Sequence, residues 1–575
     1  MSLILVIGGY GGFGARLCRR LAGAGHDLLV AGRSAARADH FCVTLSGAEP
    51  VRMDRLADIG PVLARRRPDL VIDAAGPFQD SGYAVAEACI DAGVPYLDLA
   101  DARGFVTGIG ILDERARAAG VAVISGASSA PALTGAVARA LAAGLDRVDR
   151  VDIALSAANR ASGGDAVVAA ILSYVGRSVR LWRGGRWTRG VGWQEMRHED
   201  FVLSDGTALR DRYVALADLP DCELLPALLP GRPAVAFRAG TELAFQMWAL
   251  WLASWPVRWG WVESLGGAAR WLLPLYRMTG RIGGERSAMS VTLAGRRGAE
   301  RRERRWTIVA ERGEGLEVPT LTAELLAEDV LAGRLPAGAY DAARLMSLER
   351  YQPAFDRLAV RCESRERRLP PPLYARLLGP GFDRLPPAVR TLHDIAGHAG
   401  AEGEGRVVRG KGRLARMVAA AVRFPPQGNW PLHVDFREQG GAETWTRDFG
   451  GHRFSSTLSQ SGERLVERFG PLRFAFDLPS GPQGLEMRLR SWSAFHVPLP
   501  RALAPRIRAR EWEEQGRFRF DVRVALPLVG EVVHYSGWLA PAGATPAAME
   551  KGRPEPGPPS SVPARPKAML SGDAF

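Results

Sequence analysis

The run Leu3–Gly14, LILVIGGYGGFG, constrains the fold of this chain more than any other segment. Its first five residues are apolar enough for a buried strand, and a glycine cluster follows at once. Leu17, Leu21 and Ala24 then recur at helical spacing. Gly9, Gly11 and Gly14 fit G-x-G-x-x-G between a strand and a helix, the fingerprint of a dinucleotide-binding βαβ unit. In that reading Gly9 permits the tight turn, Gly11 lets bare backbone approach a diphosphate, and Gly14 lets helix and strand pack closely. Amide N–H groups at the positive end of the helix dipole hold the phosphates. Gly8, Gly12 and Phe13 belong to the same cradle.

The second strand bears on which nucleotide fits. Asp27–Ala31 reads as that strand, and Gly32, Arg33 and Ser34 follow it. A site for NAD usually carries an acid here for the ribose hydroxyls, whereas an arginine pairs with a 2′-phosphate. Arg33 and Ser34 therefore favour NADP(H) over NAD(H). Strands then alternate with helices. Pro50–Met53 is a third strand ended by Asp54, and 58–67 a helix; Leu70–Ala74 is a fourth strand, and 82–92 a helix. Tyr96–Leu99 and Val121–Ile124 complete the series. Ligands bind beyond the carboxyl ends of such strands. That rule points to Asp54, to Ala75, Gly76, Pro77 and Phe78, to Asp98 with Asp101, and to Ser128 and Ser129.

Four of these motifs, VIGGYGGFG, DLVIDAAGPF, ACIDAGVPYLDLAD and ISGASSAPAL, occur in the order found in the saccharopine dehydrogenase-like family, and the first 145 or so residues resemble its NADP-binding region. The resemblance implies that Gly76, Pro77 and Phe78 lie over a nicotinamide and that Tyr96 and Asp98 stand at the next strand end. A weaker similarity from Arg286 to Ala359 implies helices returning to the nucleotide domain. The chain departs from the family at Asp101, where glutamate is usual, and in Ser162-Gly163-Gly164-Asp165, where threonine often stands in place of aspartate. No arginines match those that bind the amino-acid substrate, so the substrate stays open. Hydride transfer usually needs a proton source. Tyr96, Asp98 and Asp101 are the candidate catalytic groups, although each equally suits a cap or a packed strand face. Cys89 reads as core.

The net charge of +13 is carried almost wholly by arginine, with three lysines, Lys411, Lys551 and Lys567. No recognition helix or zinc spacing accompanies it, so nucleic acid is not expected as a partner. A basic surface instead favours acidic lipids or phosphorylated ligands. Five dispersed cysteines without a CxxC argue for a reducing compartment and no structural metal. The N-terminal residues already form a strand, so no cleaved signal peptide is expected, and the localisation expected is cytoplasmic, with membrane association open.

Six tryptophans, Trp248, Trp251, Trp255, Trp259, Trp261 and Trp271, crowd the segment 245–271. It reads as a helical hairpin buried in the fold or in a homodimer, as a helix lying on a bilayer, or as a true span. The first two suit a hydrophobic small-molecule substrate.

The fold class expected is an α/β Rossmann-like parallel sheet with an α+β substrate domain, plus a separate β-rich C-terminal domain. The boundaries expected are 1–144 for the nucleotide domain with return helices at about 320–360, 145–319 for the substrate domain, and 361–371 for a charged, proline-rich linker. Residues 372–540, rich in period-two alternation, form an antiparallel sheet or partly closed barrel, and 541–575 a disordered tail. This half resembles an uncharacterised domain family found behind saccharopine dehydrogenase-like domains, on LGPGFDRLPPAVRTLHD, WTRDFGG, FGPLRFAFDLP and ALPLVGEVVHYSGWL. His393, Glu443, Trp445, Arg447, His452, Glu511 and His534 are its notable polar and aromatic residues, with Arg447 and Glu511 expected as an internal ion pair. Two functions fit: an NADP(H)-dependent oxidoreductase acting on an apolar or lipid-like substrate, and a non-catalytic nucleotide-binding scaffold or redox sensor with a C-terminal ligand module.

Overall fold

The computed structural model describes residues 1–542 except Asp80, Ser162 and Gly163. From Gly543 onward the expected tail lies outside the described residues, as do Ser162 and Gly163 of the small-residue stretch. The first layer follows the expected alternation. It comprises β1 (Leu3–Ile7), α1 (Gly12–Gly23), β2 (Asp27–Gly32), α2 (Ala35–Cys42), β3 (Ala48–Arg52) and α3 (Ile59–Arg66). Then come β4 (Leu70–Asp73), α4 (Ala84–Asp91), β5 (Tyr96–Asp98), α5 (Arg103–Gly108), α6 (Asp113–Ala118) and β6 (Ala122–Ser125). The strands are parallel, in the order β6-β5-β4-β1-β2-β3, so the chain reverses direction between β1 and β4 and opens a crevice at their carboxyl ends.

A seventh strand, Gly338–Asp341, pairs in parallel with β6 and arrives from far along the chain. The return segment thus brings a strand as well as helices. Its main helix, Glu317–Leu331, is bolted to α1: Arg16 and Arg20 both pair with Glu317, and Arg20 reaches Glu324 at 3.2 Å.

After α7 (Thr134–Ala142), the long strand β7 (Arg147–Ala157) centres a second, mixed seven-stranded sheet, and α8 (Asp165–Tyr174) leaves it towards the first layer. The strand Val360–Arg368 forms the edge of that sheet, paired with Glu300–Ala310, so the stretch read as a linker over 361–371 is mostly strand. Its charges mislead because an edge strand with both faces wet reads like a linker; alternate Glu and Arg side chains meet partners across the ladder, as Arg367 does with Glu303. The tryptophan segment is a hairpin of helices Ala244–Arg258 and Ala269–Thr279. Among the described residues no helix is long and apolar enough to cross a membrane, and these two run to 15 and 11 residues.

The C-terminal segment is an antiparallel β-barrel. Ten of the twelve strands in its sheet form a closed meander, each pairing with its sequence neighbour in the ring. The ring shuts where the first strand, His398–Arg409, pairs with the last, Gly530–Pro541. Closure removes every edge of that ring.

Candidate functional site

Carboxyl ends of β1, β2 and β4 line a cleft of about 650 Å³, bounded on the far side by Val167 and Ala170 of α8. Its floor is the glycine turn. Gly8, not Gly9, is the left-handed residue, at φ +74°. The N–H of Gly8 donates to Ala31 O at 2.8 Å and Gly11 N–H donates to Gly8 O at 2.8 Å. A Cβ on Gly14 would lie 2.2 Å from Gly8 O, so the turn and α1 touch backbone to backbone. Gly11 caps α1 with no side-chain hydrogen bond, and the first-turn amides of Gly12 and Phe13 therefore meet the cleft uncapped. Gly8, Gly11, Gly12 and Phe13 line the cleft, while Gly9 is buried against Val30 and Cys18 beneath it.

At the end of β2 the cleft is basic. Arg33 and Arg37 are exposed to it, and Ser34 caps α2 by accepting from Arg37 N. Tyr10, the variable residue inside the glycine motif, spans this end. Its hydroxyl accepts from Ser34 N at 2.9 Å, and the Arg37 guanidinium lies 4.9 Å from its ring centre. Gly32 lies close beneath, where a Cβ would meet the Tyr10 hydroxyl at 2.4 Å and push the ring aside. Asp54 stands at the rim with its carboxylate folded onto its own turn, accepting from Leu56 N at 3.0 Å.

Arg55 organises the other end. Its guanidinium donates to Ala75 O at 2.7 Å and Ser81 Oγ at 3.0 Å, and pairs with the buried Asp73 at 3.3 Å. It thereby pins the loop carrying Ala75, Gly76, Pro77 and Phe78, all of which line the cleft. Phe78 is anchored by Phe105, ring centres 5.2 Å apart. Tyr10, Arg37 and Arg55 escaped the sequence reading. Arg37 alone left a signal, three residues past a capping serine.

The three candidate catalytic residues part company. Tyr96 is buried within the sheet core, its hydroxyl pushed far from ionising by desolvation, and it does not reach the cleft. Asp98 is also buried. Its Oδ1 accepts from Ala100 N (2.9 Å), Gly126 N (2.9 Å) and Ser125 Oγ (3.0 Å), so it staples two strand-end loops and does not touch the cleft. The catalytic expectation for both is corrected on that placement: side chains at a strand end alternate, and these two turn into the protein. Asp101 alone lines the cleft, accessible to solvent, with Gln79 Nε2 at 3.5 Å and its carboxyl raised by desolvation. Ser128 lines the cleft and Ser129 does not.

Burial without a cation pushes the Asp98 carboxyl up to about 7. A folded-state value above that of the unfolded chain means that the stability it confers is present below about pH 4 and is lost as pH rises towards 7. Asp98→Asn keeps the accepting oxygen, so it should bind coenzyme normally and flatten that part of the pH dependence in denaturant titrations. Asp98→Ala leaves three donors unpaired and should cost about 3 kcal/mol.

A glycine cradle under an uncapped helix, at the switch point of a parallel sheet, defines a dinucleotide-binding α/β protein. Residues 4–124 match the family described as the saccharopine dehydrogenase NADP binding domain. Residues 385–539 match a domain of unknown function, DUF4166. Among solved structures, apo histidine-tagged saccharopine dehydrogenase (L-Glu forming) from Saccharomyces cerevisiae is 12% identical with a TM-score of 0.46, over 64% of this chain and 100% of its own. Amine dehydrogenase from Mycobacterium smegmatis is 12% identical with a TM-score of 0.35, over 60% of this chain and 96% of its own. No curated protein matches the chain.

Proposed function

We propose that the chain is an NADP(H)-dependent oxidoreductase that moves hydride to or from an apolar molecule held between the parallel sheet and α8. The observation that carries this reading is the cleft itself: a bare-backbone diphosphate cradle that runs into a basic end at β2 and an aromatic, recessed end at Phe78. A bound nicotinamide supplies hydride chemistry. The chain's own groups do the rest. The first-turn amides of α1 hold the diphosphate. Arg33, Ser34 and Arg37 hold a 2′-phosphate, with Tyr10 shaping the ribose end. Arg55 keeps the Gly76–Phe78 loop in place, Phe78 with Val167 and Ala170 excludes water, and Asp101 is the group able to hold or release a proton in the cleft.

Cofactor preference is testable through the two arginines. A charge-assisted phosphate contact contributes about 1.5–3 kcal/mol. Arg33→Ala with Arg37→Ala should therefore weaken NADPH roughly 30-fold or more while leaving NADH within about threefold. Fluorescence titration checks both, and an unchanged NADPH/NADH ratio would mean the preference is misassigned.

The apolar substrate is supported by the tryptophan hairpin. Its helix Ala269–Thr279 packs against α8, the same helix whose Val167 and Ala170 wall the cleft. On its inner side the hairpin is held by polar contacts: Gln246 donates to Asn159 Oδ1 (3.0 Å) and to Thr279 Oγ1 (2.9 Å), and Gln194 donates to Ser254 Oγ (3.1 Å). The hairpin presents Phe245, Trp248, Leu252, Trp259 and Trp261 to solvent, and Met278 and Ile282 are exposed as well. Arg258 and no acid lies on the first helix. Exposed tryptophan with Arg258 at its rim suits the interface of an anionic bilayer. The protein is proposed to sit there and draw a hydrophobic substrate towards the cleft.

A non-catalytic, redox-sensing reading is favoured by one observation, that of Tyr96, Asp98 and Asp101 only Asp101 reaches the cleft. Loss of NADPH absorbance with a panel of hydrophobic carbonyl compounds separates the two. Turnover sensitive to Asp101→Asn supports the enzyme, and binding without turnover across the panel supports the sensor.

A further inference from the structure

The ten-stranded barrel is plugged at one end by helices Leu373–Leu378 and Pro387–His393, which push Tyr374 and His393 inward with ring centres 3.8 Å apart. Behind the plug a cavity of about 70 Å³ remains, walled by Leu458, Met487, Ile507 and Val522. Its polar side is unlike a core. Arg447, Glu467, Glu511, Tyr374 and Tyr535 all face it. Replacing buried ion pairs by hydrophobic residues is commonly neutral or stabilising, so charges kept inside a closed barrel call for another reason.

The expected Arg447–Glu511 pair does not form. Glu511 is held by His393, Oε2 to Nε2 at 2.6 Å. Arg447 donates to Ser456 Oγ at 3.0 Å, and its other arm stops 3.9 Å from Glu467 Oε1. That is too long for a hydrogen bond. Trp445 and Phe454 flank the guanidinium at 5.3 and 5.5 Å. An N–H donor and a carboxylate acceptor therefore look at each other across a gap, beside an apolar hollow. The charges of Arg447 and Glu467 balance, so an ionic guest would bury an uncompensated charge. A neutral head that accepts from Arg447 and donates to Glu467 would complete both.

We propose that the barrel interior binds a small neutral amphiphile, with an alcohol or amide head between Arg447 and Glu467 and an apolar body of about three carbons in the hollow. Specificity comes from the paired donor and acceptor, and the plug helices separate the guest from water. The site is independent of the coenzyme cleft.

Calorimetry and ligand-observed NMR on the full chain test this with 1-propanol, propanamide, propanoate and propylammonium. Propanol and propanamide should bind saturably, and the two ions at least tenfold more weakly. Filling the hollow with Ala509→Phe should abolish propanol binding while NADPH binding persists; Met487→Trp serves as a second filler should the first disturb near-UV circular dichroism. Arg447→Met with Glu467→Met, which keeps volume, should weaken propanol at least tenfold. No saturable binding by the native protein, ions binding as tightly as propanol, or binding that survives both fillers would overturn the proposal and leave a water-filled core only.

Discussion

Gly14→Ala is expected to abolish coenzyme binding, although alanine is the better helix former. The added methyl would stand 2.2 Å from Gly8 O, 2.8 Å from Gly8 C and 2.9 Å from Gly9 Cα. None of these atoms belongs to a flexible side chain, so the turn itself must move. Gly8 cannot yield cheaply, because its positive φ and its hydrogen bond to Ala31 O fix it against β2. Moving the turn or α1 swings the uncapped amides away from the phosphate position. A loss of at least about 100-fold in NADPH affinity, near 2.7 kcal/mol, follows. Gly23→Ala, on the same helix with nothing within 4 Å of its added methyl, is the matched control and should bind NADPH normally. Calorimetric titration of both variants decides the matter: NADPH bound by Gly14→Ala within about threefold of the native protein would refute the cradle.

The second large effect is expected on vesicles. Trp259 and Trp261 are 54% and 74% exposed and touch each other, ring centres 4.8 Å apart, at the tip of the hairpin. Inserting each ring into the interface is worth about 2 kcal/mol by area. Trp259→Ser with Trp261→Ser should therefore lower partitioning onto anionic vesicles by at least about 100-fold. Their exposure makes the double variant harmless to folding, and its NADPH affinity should be unchanged. Binding by the native protein should weaken with added salt, because the rim cation is screened. If the native protein ignores anionic vesicles and instead forms a dimer that the double variant dissolves, the hairpin is a self-association surface.

The nucleotide layer was legible because its signals are local. A strand, a glycine turn and a helix sit within some two dozen residues, and a continuous apolar run gives way to apolar residues three or four apart between them. Local signals also set the limits. The motif marks Gly9 as the turning residue, yet Gly8 turns, because the pattern records which positions tolerate no side chain and not which one has positive φ. Tyr96 and Asp98 were legible as strand-end residues, but the direction in which each points depends on pleat phase, which three residues of strand do not reveal. Arg55 acts through a loop some twenty residues later, a relation that no spacing rule contains. In the barrel, alternation marked the segments as strands and left open which of them meet. Arg447 and Glu511 do share the interior, but His393, carried in by a helix, takes the glutamate first. The charged stretch from Arg361 shows the converse error, since composition cannot tell a wet edge strand from a tether.

The strand Gly338–Asp341 has a consequence for biosynthesis. Until residue 341 has left the ribosome, β6 is the bare rim of an unfinished sheet. The coenzyme-binding layer therefore matures only after most of the second sheet and the whole hairpin have been made. A chain cut short near residue 144 would display an unpaired apolar border, an invitation to aggregate. Chain order and assembly order are thus interleaved: the first sheet begun stays open until six strands of the second have been made.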